Sequence, residues 1–176
     1  MIYVFKLSKD EINYIPFLEI SPTQKIFVIS GKQKEFMIDG KRLRVSDKSG
    51  NEADRSDLIA YFKLAFTNLA DRNKLVAYGF NYDLVLEAET RIDFKSFLGT
   101  NVLQCLTGDK VLGSGARVIF ERNDRQYELR ISPVGDPHKL FCHLNIHYNS
   151  NTLNFSHLQS YFRKGYVELI NFIKAL

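Results

Sequence analysis

Two stretches one hundred residues apart, SDLIAYFKLAFTNL (56–69) and SHLQSYFRKGYVEL (156–169), share one pattern of apolar and polar residues. Both place apolar residues three and four positions apart, which is typical of an amphipathic helix. Both begin with a serine that can cap a helix N-terminus. The sequence therefore predicts two similar helices, over 56–72 and 156–175. The identical pairs are Ser56/Ser156, Leu58/Leu158, Tyr61/Tyr161, Phe62/Phe162 and Leu69/Leu169.

The segments that precede these helices also match in order. KIFVISGKQKEFMI (25–38) and RVIFERNDRQYELRI (117–131) each predict two strands joined by a tight turn, around Ser30-Gly31 and Asn123-Asp124. A further strand follows each hairpin, from Leu43 and from Leu144. The first half therefore begins with a strand at 2–7 and ends in helix 56–72. The second half begins with a strand at 74–88 and a short helix at about 92–106, and ends in helix 156–175.

These elements predict one α+β domain, residues 1–176, made of two pseudo-repeats at about 1–73 and 74–176. In this internally duplicated, two-layer fold each unit of antiparallel strands ends in a long helix, and the helices cover one face of the sheet. The alternative is coincidence, because two helices with aromatic faces align well once an offset is chosen to suit them.

The repeated order of strands and helix resembles, in topology alone, the sheet-plus-helix build of SecB-type export chaperones. The resemblance rests on elements and on no residue signature, and the net charge of +4 departs from the acidic character of that group. It therefore carries no site residue and no function to this chain.

Composition favours a soluble cytoplasmic protein. The apolar run after Met1 ends at Lys6, which is too short for a secretory signal, and no run is long enough to span a bilayer. Cys105 and Cys142 lie among apolar neighbours, and this pattern indicates buried thiols instead of a disulfide framework. Lys+Arg and Asp+Glu are spread evenly over both halves, so the bulk charge selects no partner.

No segment predicts a catalytic residue, a cofactor or a metal. Gly113-Ser114-Gly115 leads into a strand pattern and not into a helix, which favours a flexible loop or bulge over a phosphate-binding loop. His143 and His147 share one strand face at a spacing of about 13 Å, too far apart for one metal ion. Asp83 and Glu87, or Glu87 and Glu89, are the conceivable carboxylate pairs, but no companion base accompanies them. An enzyme of unknown reaction is therefore the third hypothesis.

Arginines interleaved with aromatic residues support a second hypothesis, a nucleic-acid-binding module. A sheet face that presents arginine and aromatic rings can bind phosphate and stack bases. Acidic residues interrupt the same hairpin, so a solvated surface of Arg/Glu pairs is the alternative. The candidate nucleic-acid contacts are Arg117, Arg122, Arg125 and Arg130 on the second hairpin, with Arg42 and Arg44 in the first half.

The last helix supports the leading hypothesis, because its apolar surface is wider than one stripe and needs a second surface to cover it. We predict a non-catalytic binding or assembly protein that acts through protein–protein contacts, as a homo-oligomer joined through an exposed sheet edge or the aromatic helix faces. Gly165 in mid-helix suggests that another backbone passes close to it. The candidate interface residues are Tyr161, Phe162, Tyr166, Leu169, Phe172 and Ile173.

Overall fold

The computed structural model describes residues 18–21, 24–29, 33–38, 42–69, 75–108 and 110–175, with the backbone alone for 18–29, Ile38 and Leu69. Within these ranges helices are mixed with antiparallel sheets, which confirms the α+β class. The predicted strand at 2–7 and the predicted turn at Ser30-Gly31 lie outside the described residues.

The chain divides into two compact units. The first comprises Met1–Lys74 and Asn154–Arg163, and the second comprises Leu75–Leu153 and Lys164–Leu176. The last helix contributes residues to both units.

The described strands of the first unit form an antiparallel sheet of four neighbouring strands in chain order, β1-β2-β3-β4. Helix α1 follows the sheet, and its N-terminus is capped as predicted, since the Ser56 hydroxyl oxygen accepts a bond of 3.2 Å from the Leu58 N–H. The elements are β1 Leu18–Ser21, β2 Gln24–Ile29, β3 Lys34–Ile38, β4 Leu43–Asp47 and α1 Leu58–Leu69.

A buried lysine connects the sheet of the first unit to the start of α1. Lys34 on β3 is 3% exposed, and its Nζ lies 3.0 Å from Asp47 and 2.7 Å from Asp57. Ser56 also donates a 2.5 Å hydrogen bond to Asp47, so the capping residue belongs to the same network. Phe36 packs edge-on against Tyr61 at 6.1 Å between ring centroids. These contacts connect the start of α1 to residues of β3 and β4.

The second unit contains a four-stranded antiparallel sheet in the order β5-β8-β7-β6. Its hairpin turns at Asn123-Asp124 as predicted. Both turn residues have positive φ, 52° and 58°, in the left-handed region that a type I′ hairpin turn requires. The elements are β5 Tyr78–Glu87, a 3₁₀ helix Phe94–Phe97, α2 Thr100–Cys105, β6 Ala116–Arg122, β7 Arg125–Pro133, β8 Lys139–Tyr148 and α3 Phe155–Lys174.

The core of the second unit lies on one face of this sheet. Every second residue of β8, from Leu140 to Tyr148, is almost completely buried, with at most 8% of its surface exposed. The strict alternation confirms the prediction that Cys142 points inward while His143 and His147 point to the other side. Gly79 on β5 permits a close strand approach, because a Cβ there would lie 2.8 Å from the Ile146 carbonyl oxygen.

Several predictions of detail are wrong. Strand β5 begins at Tyr78, so Val76 lies before it and is 80% exposed. The single helix expected at 92–106 is two short helices. Cys105 at the end of α2 is exposed, because α2 has no buried residue.

Helix α3 also differs from its predicted start. It begins at Phe155, and Asn154 accepts a 3.0 Å bond from the Ser156 N–H. Asn154 therefore satisfies the first turn that Ser156 was expected to cap, since its carboxamide oxygen stands one position before the helix. The two matched serines therefore have different roles: Ser56 accepts a hydrogen bond from the start of α1, whereas the Ser156 N–H donates one to Asn154.

The predicted apolar stripe of α3 is present, with Leu158, Phe162, Gly165 and Leu169 all buried. The neighbours of Gly165 are side chains and not a backbone. A Cβ at this position would lie 2.4 Å from the Tyr82 hydroxyl oxygen and 2.7 Å from Ile146 Cδ1. The second half of α3 therefore approaches β5 and β8 closely only because residue 165 has no side chain.

Candidate interaction site

The sheet of the second unit has one aromatic face and one polar face, because successive side chains of a strand point to opposite sides. The pairing of β5, β8, β7 and β6 places like residues side by side across all four strands. On the aromatic face lie Tyr78, Phe80, Tyr82, Phe120, Tyr127 and Tyr148. On the polar face lie Asn81, Asp83, Arg117, Glu128, Arg130, His143 and Asn145.

The four arginines of the hairpin divide between these faces. Arg117 and Arg130 are direct cross-strand partners on the polar face, whereas Arg122 and Arg125 are partners on the aromatic face. The remaining two candidates belong to the first unit, where Arg44 pairs with Glu35 at 3.1 Å and Arg42 is exposed. The second sheet therefore does not present its four arginines as one basic surface.

Arg122 and Arg125 rest on aromatic rings. The guanidinium carbon of Arg122 lies 5.5 Å from the centroid of Phe120 and 5.9 Å from those of Tyr127 and Phe172. That of Arg125 lies 4.9 Å above Tyr148. These distances are within the range of favourable cation–π contacts. Two guanidinium groups are thus held beside the Asn123-Asp124 turn, an arrangement that can bind an anion.

A carboxylate from α3 lies among the tyrosines of the aromatic face. Oε2 of Glu168 is buried and has no hydrogen-bond partner among the described residues. Burial and the nearby Glu168 raise the pKa of Tyr127, and burial raises the pKa of Tyr148 to about 12. Burial raises the pKa of Tyr82 as well, with Tyr148 and Glu168 adding to the shift. These tyrosines stay neutral hydroxyl donors throughout the physiological range.

The polar face carries paired charges. Arg117 Nε donates to Glu128 Oε1 at 2.7 Å, and this hydrogen bond lowers the pKa of Glu128. His143 Nδ1 lies 2.6 Å from Asp83 Oδ1, and Asn145 donates to Asn81 at 2.7 Å. The neighbours of the two histidines differ, since His147 contacts Asn149 at 2.9 Å. The geometry is that of a hydrogen-bonded polar surface, with Asp83 and His143 as its closest acid–base pair.

The helix residues predicted to form an interface have two different environments. Phe162 is 6% exposed and Leu169 is completely buried, so the structure places both in the interior of the chain. The helix packs these residues inward because they lie on its buried stripe. Partly exposed positions remain at Tyr161, Tyr166, Phe172 and Ile173.

The outer edge of β6 exposes two large aliphatic residues. No described strand pairs with this side of β6, which stands last in the sheet order. Val118 is 49% exposed and Ile119 is 55% exposed. Neither residue is among the candidate site residues predicted from the sequence. The sequence shows them as two adjacent aliphatic residues within the charged stretch ARVIFER. Their position on an edge strand depends on the order of strands in the sheet, which that stretch alone does not predict.

The described ranges contain no group of three or more His, Cys, Asp or Glu residues placed to hold a metal ion. A depression of about 250 Å³ lies beside the 3₁₀ helix of the second unit and is lined by Arg91, Ile92, Asp93, Phe94, Lys95 and Val111. The Asp93 carboxylate is engaged there in capping, since it accepts a 3.0 Å bond from the Lys95 N–H. No described helix is both long and apolar enough to cross a bilayer.

The fold and these surfaces define an α+β protein with two antiparallel sheets. Comparison with protein-family models, curated proteins and solved structures matched none of them to this chain.

Proposed function

We propose that this protein is a non-catalytic binding or assembly protein that acts through protein–protein contacts and self-associates. The observation that supports the proposal is the outer edge of β6, with which no described strand pairs. An edge strand presents a row of N–H and C=O groups that can pair with a strand from another chain. On this edge the row is accompanied by the exposed side chains of Val118 and Ile119.

The proposal extends to the architecture. We propose that the two units arose by duplication, and that α1 and α3 each cover one face of a sheet. The support is the common order of hairpin, strand and helix in β2-β3-β4-α1 and β6-β7-β8-α3. For α1, the contacts of Lys34 and Phe36 are consistent with this arrangement. For α3, the ring of Phe172 lies 5.9 Å from that of Phe120.

We also propose a cytoplasmic location. Both cysteines are free thiols, and Cys105 is exposed. An exposed free thiol is more compatible with a reducing compartment than with an oxidising one.

Sedimentation velocity of the wild-type protein over a wide concentration range tests self-association. We expect the weight-average sedimentation coefficient to rise with concentration from the monomer value towards that of a larger species. A coefficient that stays at the monomer value at the highest concentration would remove self-association from the proposal.

A nucleic-acid-binding module is the second candidate, and the pairing of Arg122 with Arg125 on aromatic rings favours it. Fluorescence anisotropy with generic single- and double-stranded nucleic acid at two salt concentrations tests it. Salt-sensitive binding that Arg122→Ala and Arg125→Ala abolish would place this candidate first, because phosphate contacts release counterions.

A further inference from the structure

We infer that β6 pairs with β6 of a second copy of this chain, antiparallel and about a two-fold axis through Ile119. This inference rests on the proposed self-association and specifies its surface and register. The occupant of the edge is a second copy because the strand ARVIFER (116–122) is complementary to itself when reversed. In this register Arg117 faces Glu121 of the other copy twice, once on each side of the axis.

The apolar residues match in the same register. Val118 lies opposite Phe120 of the second copy, and Ile119 lies opposite its own equivalent. Val118 and Ile119 are about half exposed in one copy, so pairing would remove apolar surface from water. Shifting the axis to residue 118 or 120 would place Ile119 opposite Arg117 or Glu121. The charge pattern and the apolar pattern therefore select the same register.

The backbone hydrogen bonds of β6 alternate between its two sides, as this register requires. Arg122 and Arg125 flank the two-residue turn, so in such a hairpin they exchange both of their hydrogen bonds. Counting back along β6, the even-numbered residues bond to β7. Arg117, Ile119 and Glu121 then direct their N–H and C=O groups outward. The inferred register pairs these outward residues with one another, as an antiparallel ladder requires.

The side chains of the edge are available for the contact. Glu121 is exposed and makes no ion pair with any described residue, while Arg117 binds Glu128 through Nε. A guanidinium has five N–H donors, so Arg117 can hold Glu128 of its own chain and Glu121 of the second copy together. The competing explanation for these two charges is that Arg117 and Glu121 prevent β6 from pairing with strands of other chains.

Charge reversal separates the two explanations. Arg117→Glu places two glutamates opposite each other at both sides of the axis, and Glu121→Arg places two arginines there. Like charges directly opposite destabilise a strand pair, so we expect each variant alone to raise the Kd of self-association by roughly tenfold or more. An equimolar mixture of the two variants would restore opposite charges at both contacts, and we expect association near the wild-type level.

Arg91→Glu and Glu89→Arg are matched controls, because both residues are exposed and lie outside the edge. Analytical ultracentrifugation of the variants, the mixture and the controls is the test. Association of wild type that both reversals leave unchanged would overturn the β6 register and leave self-association standing. A wild-type protein that remains monomeric would overturn both. If association recovers on mixing, the loss seen with each variant alone did not come from misfolding, because a misfolded variant would not associate in the mixture either.

Discussion

At the scale of single residues, the network around Lys34 is the feature with the clearest energetic consequence. Burial alone would lower the pKa of Lys34, but its hydrogen bonds with Asp57 and Asp47 outweigh this effect and raise it. Burial alone would raise the pKa of Asp47, but hydrogen bonds from Ser49, Ser56 and Lys34 lower it from 3.8 to about 2. Both side chains are therefore charged in the folded protein at neutral pH.

This network predicts an acid-sensitive contribution to stability. Because the folded-state pKa of Asp47 is lowered, its contribution is complete above the unfolded value of 3.8 and is lost as the pH falls towards about 2. Asp47→Asn removes this carboxylate from the almost completely buried Lys34. We expect it to lower the free energy of unfolding by about 2 kcal/mol at neutral pH and to flatten the acid dependence.

Urea denaturation at a series of pH values measures this effect. Asp57→Asn is the matched control, because Asp57 binds the same lysine with a side chain that is 53% exposed. Its cost should be smaller, since an exposed partner is screened by water. Equal losses from the two substitutions, or an unchanged acid profile in Asp47→Asn, would contradict this account of the network.

At the scale of elements, Gly165 is the position where α3 comes close to side chains of β5 and β8. Replacing a glycine in a helix with alanine ordinarily stabilises the helix by about 1 kcal/mol. At Gly165 the new Cβ would overlap the Tyr82 hydroxyl and Ile146 Cδ1. We expect Gly165→Ala to destabilise the protein by about 1–3 kcal/mol, because overpacking outweighs the gain in helix propensity.

Thermal or urea unfolding of Gly165→Ala tests this packing. Ser160→Ala is the control on the same helix, since Ser160 is exposed and its replacement should be neutral or slightly stabilising. A stabilised Gly165→Ala variant would show that α3 does not approach Tyr82 as closely as the structure places it.

How much the sequence predicted depends on whether a feature is local. The alternation of β8, the turn at Asn123-Asp124 and the buried stripe of α3 follow from periodicity and turn chemistry, and all three are present. The division of the arginines between two faces depends on the strand register, which the positions of the arginines in the sequence do not predict. The position of Glu168 beside Tyr82 and Tyr127 depends on which elements become neighbours, and so does the β6 edge with which no described strand pairs. No local sequence pattern could have shown either feature.

At the scale of the whole molecule, the inferred pairing would join the four strands of the second unit to four strands of a second copy. A continuous antiparallel sheet across two copies would cover the β6 edge, with which no described strand of one copy pairs. Protein assemblies commonly use such two-fold contacts, in which the same surface serves both partners. In the inferred contact the charge pattern of ARVIFER would set the register, while Val118 and Ile119 would supply apolar area.

Residue-resolved amide hydrogen exchange along β6, measured at low and at high protein concentration, tests this central claim most directly. The N–H groups of Val118 and Phe120 bond to β7 within one copy and should be protected at both concentrations. We predict that those of Arg117, Ile119 and Glu121 exchange rapidly at low concentration and become protected at high concentration, as the second strand arrives. Rapid exchange of all three at both concentrations would contradict the pairing of β6 with itself.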